Sequence, residues 1–196
     1  MSQTPIAAHF EQSRAAMERA AGDAALLKTA ETIAAVIVTA LRAGNKLLLI
    51  GNGGSAADAQ HIAAEVIGRY KRERPGYAAI ALTTDTSALT SIGNDYGFEH
   101  IFSRQIEGLG QRGDVLIALS TSGRSKNIIT ALQRARELGI VTIGFTGMNG
   151  LAMREVCDHL LVSPSDDTPV IQQIHLVAAH GICDAVERSM MDASDK

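Results

Sequence analysis

Apolar residues along this chain follow two alternating periods. Pro5 to Ala21 carries a helical repeat, with Thr4 as its N-cap and Pro5 at the first helical position. Ala24 to Arg42 predicts a second helix, apolar around much of its circumference and stopped at Gly44. A helix buried that widely needs several neighbours, which predicts packing between subunits. Short apolar runs then alternate with helical stretches. Strands are expected at 46–50, 77–82, 114–119, 140–145 and 159–162. Helices are expected at 56–70, from 125 to Leu138, and from Thr168-Pro169 to about Met191. This alternation predicts an α/β fold with a parallel sheet covered on both faces. Two turns of small residues, 51–55 and 120–125, follow strands directly. Ligands of such sheets bind beyond the C-terminal strand ends, so the two turns should share one cleft. No low-complexity tract or second-domain signal interrupts the pattern, and one domain is expected over residues 1–196.

Composition narrows the function classes. A chain of 196 residues favours one domain and can bury a core without disulfides. Hydrophobic residues at 46% exclude a disordered chain. A net charge of −3 argues against a nucleic-acid surface, which needs clustered Lys and Arg. The basic run Arg69-Tyr70-Lys71-Arg72-Glu73-Arg74 contains an acid and reads as a solvated helix end rather than a polyanion site. Cys157 and Cys183 lie far apart without a CxxC motif, the usage of a reduced cytoplasmic protein. The first five residues lack the segments of a secretory leader, and no uncharged apolar run reaches membrane-spanning length. A cytoplasmic location with neither membrane nor nucleic-acid partner is expected.

The chemistry concentrates at three places. Gly51-Asn52-Gly53-Gly54-Ser55 joins a buried strand to a helix start, where backbone N–H groups and the helix dipole favour an anion. His61 and Glu65 stand four apart on the following helix and share its face. They could be an exposed pair of no consequence, or an acid/base or metal pair. Ser120-Thr121-Ser122-Gly123-Arg124-Ser125 offers four hydroxyls at another helix start, fit for a phosphate monoester; the bland alternative is a turn with good N-caps. Neither turn matches GxGxxG or GxxxxGK[ST], so a phosphosugar suits them better than a nucleotide. On the terminal helix Gln172 and His180 share a face among apolar neighbours, and such polar groups must find partners or bind something. His61, Glu65, Gln172 and His180 together offer two nitrogens and two oxygens, a set Zn²⁺ accepts, although Gln is an unusual ligand. His175, without a second signal, reads as a core histidine. Asn94-Asp95 could touch sugar hydroxyls or simply make a turn.

The motifs Gly51-Asn52-Gly53-Gly54-Ser55-Ala56-Ala57, Gln60-His61-xx-Ala64-Glu65, Arg74-Pro75-Gly76, Gly93-Asn94-Asp95, Phe102-Ser103-Arg104-Gln105, Ser120-Thr121-Ser122-Gly123-x-Ser125 and Ile171-Gln172-xx-His175-xxxx-His180 occur in an order and spacing that are highly specific. Over almost its whole length the chain resembles sugar isomerase (SIS) domain proteins and, within them, the phosphoheptose isomerase family. The resemblance implies a five-stranded parallel sheet flanked by helices, with extra packing helices at both termini. It implies a homotetramer with active sites at subunit contacts. It implies conversion of D-sedoheptulose 7-phosphate to D-glycero-D-manno-heptose 7-phosphate, the first step toward the heptose of bacterial surface polysaccharide such as lipopolysaccharide. Carried over by position, Ser120, Thr121, Ser122 and Ser125 would hold the phosphate. Asn52, Gly53, Gly54, Asn94, Asp95 and Gln172 would line the sugar. Glu65 and His180 would be the acid/base pair, with Glu65 also touching substrate. His61, Glu65, Gln172 and His180 would bind one zinc ion per subunit, and Arg69 would face the site. Val170 departs from the family, where a basic residue is common.

Three rival readings differ at identifiable features. Arabinose 5-phosphate isomerases carry added nucleotide-sensing domains, and none is expected here. A regulator with this domain needs a basic helix-turn-helix, and the first ~45 residues are too apolar for one. A non-catalytic relative that binds a replication initiator would lose the equivalents of Glu65 and His180, and both stand in this chain.

Overall fold

A computed structural model describes residues 4–192 of the chain. Residues 1–3, part of the leader-free reading, and 193–196, the end of the expected domain, lie outside the described residues. Two helices come first, α1 (Pro5–Gly22) and α2 (Ala24–Arg42). The Thr4 hydroxyl accepts from Ala7 N and the Asp23 carboxylate from Ala25 N and Leu26 N, so both helices start on side-chain caps. Next come β1 (Leu47–Gly51), α3 (Gly54–Ile67), β2 (Ala79–Ala81), α4 (Thr86–Tyr96), α5 (Ser103–Leu109) and β3 (Val115–Leu119). The chain ends with α6 (Lys126–Glu137), β4 (Val141–Gly147), β5 (His159–Ser163) and α7 (Thr168–Met191). Short 3₁₀ turns occupy Phe98–His100 and Met148–Glu155.

The five strands pair in parallel in the order β2-β1-β3-β4-β5. Alternation along each strand divides the core into two layers. Leu47, Leu49, Val115, Ile117 and Phe145 face α1, α2, α3 and α7. Leu48, Ile50, Leu116 and Ala118 face α5 and α6, represented by Ile106, Ile128 and Leu132. The strand order reverses between β1 and β3, whose last residues Gly51 and Leu119 stand in register. Both small-residue turns leave the sheet at this switch point, the crevice where open α/β sheets bind ligands.

Several boundaries differ from expectation. The strand expected over 77–82 shrinks to Ala79–Ala81, because this edge strand pairs only with β1. The helix expected over 56–70 begins at Gly54 and ends at Ile67. The last three expected residues instead enter a strap that crosses to α7. The seven-residue α5 is too short to show a helical period and was not foreseen. Helix α2, 19 residues long, reaches a mean hydropathy of 1.7 over an 18-residue window, enough by composition to cross a membrane. Lys28 and Glu31 interrupt it, and Leu26, Ile33, Ile37 and Leu41 are buried in the core.

Candidate active site

Helix α3 starts where β1 ends, and the contact that matters there is between helices. A Cβ on Gly54 would lie 2.6 Å from Nε2 of Gln172, so glycine lets the first turn of α3 meet α7. The Gln172 amide also reaches Ser55 Oγ at 3.5 Å. The glycine expected to open a path for an anion here makes room for another helix. Asn52, expected to line the sugar, spends its side chain differently: Asn52 and Asn127 exchange two amide hydrogen bonds of 2.9 Å, which lock the first turn to the start of α6. Asn127 is buried and carried no sequence signal.

Farther along, α3 and α7 bring three ionisable side chains together. His61 Nε2 and His180 Nε2 face each other at 2.9 Å, and Glu65 Oε1 lies 3.3 Å from His61 Nε2. One ligand atom from each of His61, Glu65 and His180 falls within 4.8 Å of the others. Two ligands on one tetrahedral ion with bonds of 2.0–2.2 Å stand about 3.3–3.6 Å apart. The His61–His180 and His61–Glu65 pairs are within a few tenths of an ångström of that spacing, the third pair lies within 4.8 Å, and the three are donor types zinc takes. Gln172 sits two turns up α7 on the same face, over the first turn of α3. Asp58, one turn before His61, was not singled out from sequence. Burial raises its carboxyl and the nearby His61 partly offsets this, while Oδ2 has no hydrogen-bond partner. Its i, i+3 spacing from His61 was the signal available.

The hydroxyl loop lies at the end of β3. Ser125 is the N-cap of α6 but makes no side-chain cap bond, so the bland reading of these hydroxyls as caps does not hold for it. Ser120 Oγ accepts from Gly123 N at 3.2 Å and lies 3.5 Å from Ser125 Oγ. Gly123 has φ +63°, and a Cβ there would meet Gly150 Cα at 2.5 Å. A cavity of about 420 Å³ opens beside the loop, lined by Thr121, Ser122, Arg124, Asn149, Asp166, Thr168 and Ile171. Arg124 adds a cation to the hydroxyls of this lining.

Three expectations fare differently. Asn94 and Asp95 lie exposed on α4, where the Asn94 amide donates to Asp95 Oδ1 at 2.8 Å. The structure brings them to no other expected site residue among the described ones. Val170 is fully buried in the core under α7, so a basic residue there would enter apolar packing rather than the cleft. His175 is a core histidine, as expected. It is fully buried, its Nε2–H donates to Thr146 O at 3.3 Å, and its ring meets Phe145 edge-on. Burial holds its pKa down at about 4 against a weaker opposing effect of the Thr146 bond.

The basic run at 69–74 is the clearest correction. Arg69, Lys71 and Glu73 are exposed as expected, but the run is not all solvated: the Arg74 side chain is 4% exposed and Glu187 on α7 is 1% exposed. Glu187 accepts backbone N–H bonds from Tyr70 (2.8 Å), Lys71 (3.1 Å) and Arg72 (2.6 Å). Arg69, expected to face the site, is exposed and pairs with Glu73 at 3.6 Å.

Residues 8–147 match the family model described as the SIS domain. The chain is 70% identical over 186 residues to a phosphoheptose isomerase of Bradyrhizobium sp. (strain ORS 278), covering 95% of this chain and 94% of that one. Its structure is similar to that of a phosphoheptose isomerase from Neisseria gonorrhoeae, with a TM-score of 0.87, 44% identity and coverage of 93% and 97% of the two chains. A phosphoheptose isomerase from Francisella tularensis superposes with a TM-score of 0.89 at 36% identity, covering 93% and 96%.

Proposed function

The chain belongs to the SIS domain family and is an isomerase, and we propose that it interconverts D-sedoheptulose 7-phosphate and D-glycero-D-manno-heptose 7-phosphate in heptose biosynthesis. The observation that carries this reading is the meeting of His61, Glu65 and His180 from two helices, on the same face of α7 as Gln172 and downstream of the hydroxyl-lined cavity. From Ile171 at that cavity to His180, α7 rises about 13 Å, a span an extended seven-carbon chain with a terminal phosphate bridges. Thr121, Ser122, Ser125 and Arg124 hold the phosphate, with Ser120 bracing the loop from beneath. The carbonyl end then reaches Glu65 and His180.

Aldose–ketose isomerisation moves one proton between C1 and C2 through an enediol. It needs a base over the carbon and a donor at the oxygen. Glu65 and His180 act as this pair, one taking the carbon-bound proton while the other gives a proton to the carbonyl oxygen, and the roles reverse for the second transfer. Gln172 orients the sugar hydroxyls between the two ends, and the Asn52–Asn127 pair holds the turn beneath them in place. His61, Glu65, Gln172 and His180 are the residues that would hold Zn²⁺, which as a Lewis acid would polarise the carbonyl. The apolar surface left on α1, α2 and α7 supports a homotetramer, and the Asn94–Asp95 pair on α4 then serves the cleft of a neighbouring subunit. The reaction suits a cytoplasmic enzyme.

The test is direct. Incubation of the metal-replete protein with sedoheptulose 7-phosphate, followed by NMR, should reveal the aldose anomeric signal. No aldose under these conditions would overturn the reading.

A further inference from the structure

Glu187 and Arg74 bury opposite charges between α7 and the strap that follows α3, away from the hydroxyl loop. Arg74 gives Nη1 to the carbonyls of Val66 (2.9 Å), Gly68 (3.2 Å) and Pro75 (3.0 Å), and Nη2 to that of Glu65 (2.8 Å). The first two and the last are carbonyls at the C-terminal end of α3, where a cation also complements the helix dipole, and Pro75 lies in the strap. Arg74 Nε lies 3.4 Å from Glu187 Oε2. On the other side, the Glu187 carboxylate gathers three successive N–H groups of residues 70–72, while Arg72 Nη1 reaches Asp184 at 2.9 Å. Burial alone would raise the Glu187 carboxyl, yet the three N–H bonds and Arg74 reverse this and leave it lowered. The strap between α3 and β2 is thus fastened to both helices that carry the site.

This fastening has one product in the cleft. The Tyr70 ring stacks on the His180 imidazole, with centroids 5.5 Å apart and planes 24° from parallel. Edge-on from another side comes His61, with its centroid 5.1 Å away. His180 therefore has a tyrosine against its face and a histidine at its edge, and its ring plane follows from both.

We propose that Tyr70 is a positioning residue that sets the ring plane of His180, and that the buried Glu187–Arg74 pair holds Tyr70 in place. The inference rests on His180 being half of the acid/base pair. A proton donor or acceptor acts over a narrow range of distance and angle, and a misplacement of about 1 Å costs up to 10²-fold. Removing the ring leaves the phosphate loop intact, so the loss should fall on kcat. Glu187→Gln should act in the same direction, since an amide cannot offer two oxygens to the strap. If that variant fails to fold, Tyr70→Ala decides alone, because its side chain is only partly buried and carries no ion pair.

The experiment compares Tyr70→Ala and Tyr70→Phe with the parent. Tyr70→Ala should lower kcat by roughly 10–100-fold with KM within about twofold, and Tyr70→Phe should recover most of the loss because the stacking face is kept. Independently of turnover, the His180 ring protons, assigned by difference against His180→Gln, should sit upfield in the parent and in Tyr70→Phe. In Tyr70→Ala they should move downfield as the ring current disappears. A parent that makes no aldose would defeat the functional reading while the NMR comparison still reports the stacking. Unmoved His180 resonances, or unchanged kcat, in Tyr70→Ala would overturn the positioning role.

Discussion

At the scale of single residues, the site depends on side chains whose neighbours decide their chemistry. If Glu65 and His180 are the acid/base pair proposed above, Glu65→Gln and His180→Gln should each lower kcat by ~100-fold or more. Both variants should still bind the phosphate end of the substrate, because the loop at 120–125 is untouched. Steady-state kinetics beside equilibrium binding checks this, and near-normal turnover in both variants would contradict the assignment. His175 makes a different prediction. Its pKa is held at about 4 when folded, below the ordinary 6.5, so the unfolded chain binds the extra proton between these values. Stability from this residue is therefore intact above pH 6.5 and lost as pH falls toward 4, by up to about 3 kcal/mol. Replacing His175 by Gln keeps an N–H for Thr146 O and removes the titration. Thermal melts from pH 7.5 to 4.5 should show the parent losing more stability than this variant; parallel curves would reject the claim.

At the scale of elements, two junctions do the positioning. The first is the turn from β3 into α6. Gly123 sits at φ +63° against Gly150, so Gly123→Ala should cost about 1–3 kcal/mol from backbone conformation alone. The shifted loop should also raise KM for the phosphorylated ketose, and a melting curve and KM identical to the parent's would be the contrary result. The second junction is α3 against α7. If His61, Glu65, Gln172 and His180 share a metal ion, chelation should lower turnover and added Zn²⁺ should restore it, with elemental analysis reporting about one ion per chain. Full activity in protein shown to be metal-free would remove zinc from the mechanism. The same junction shows how far local pattern reaches. The i, i+4 spacing of His61 and Glu65, and the face shared by Gln172 and His180, were legible because each lies within one helix. That Asn52 would be consumed by Asn127, or Arg74 by Glu187, was not legible, because those partners lie on elements far apart in the chain.

At the scale of the whole molecule, the helical layer remains incompletely covered. A groove of about 390 Å³ runs between α1, α2 and α7, lined by Leu27, Ala30, Val177 and Ala178 among others. Ile6 and Phe10 on α1 are 74% and 72% exposed. Apolar patches of this kind mark interaction surfaces, and a closed oligomer of this chain is the expected occupant. Light scattering should give a mass near four chains. Leu27→Asp or Val177→Asp should split the assembly and lower turnover together. A parent that stays monomeric and fully active at micromolar concentration would refute this.

Local chemistry accounts for what the sequence by itself determined. Apolar runs of strand length between amphipathic helices specify a parallel α/β sheet, since only that arrangement buries both faces of such strands. Small residues directly after β1 and β3 mark the switch point, where open α/β sheets place their crevice. Motif order then named a family whose model the chain matches. Tertiary structure decided the rest, because distance through space is not a function of distance along the chain. It set His61 against His180 at 2.9 Å, buried the Arg74 end of a seemingly solvated basic run against Glu187, and stacked Tyr70 on His180. Buried charges must find partners wherever the fold supplies them, and in this chain the partner of Arg74 is Glu187 on the last helix.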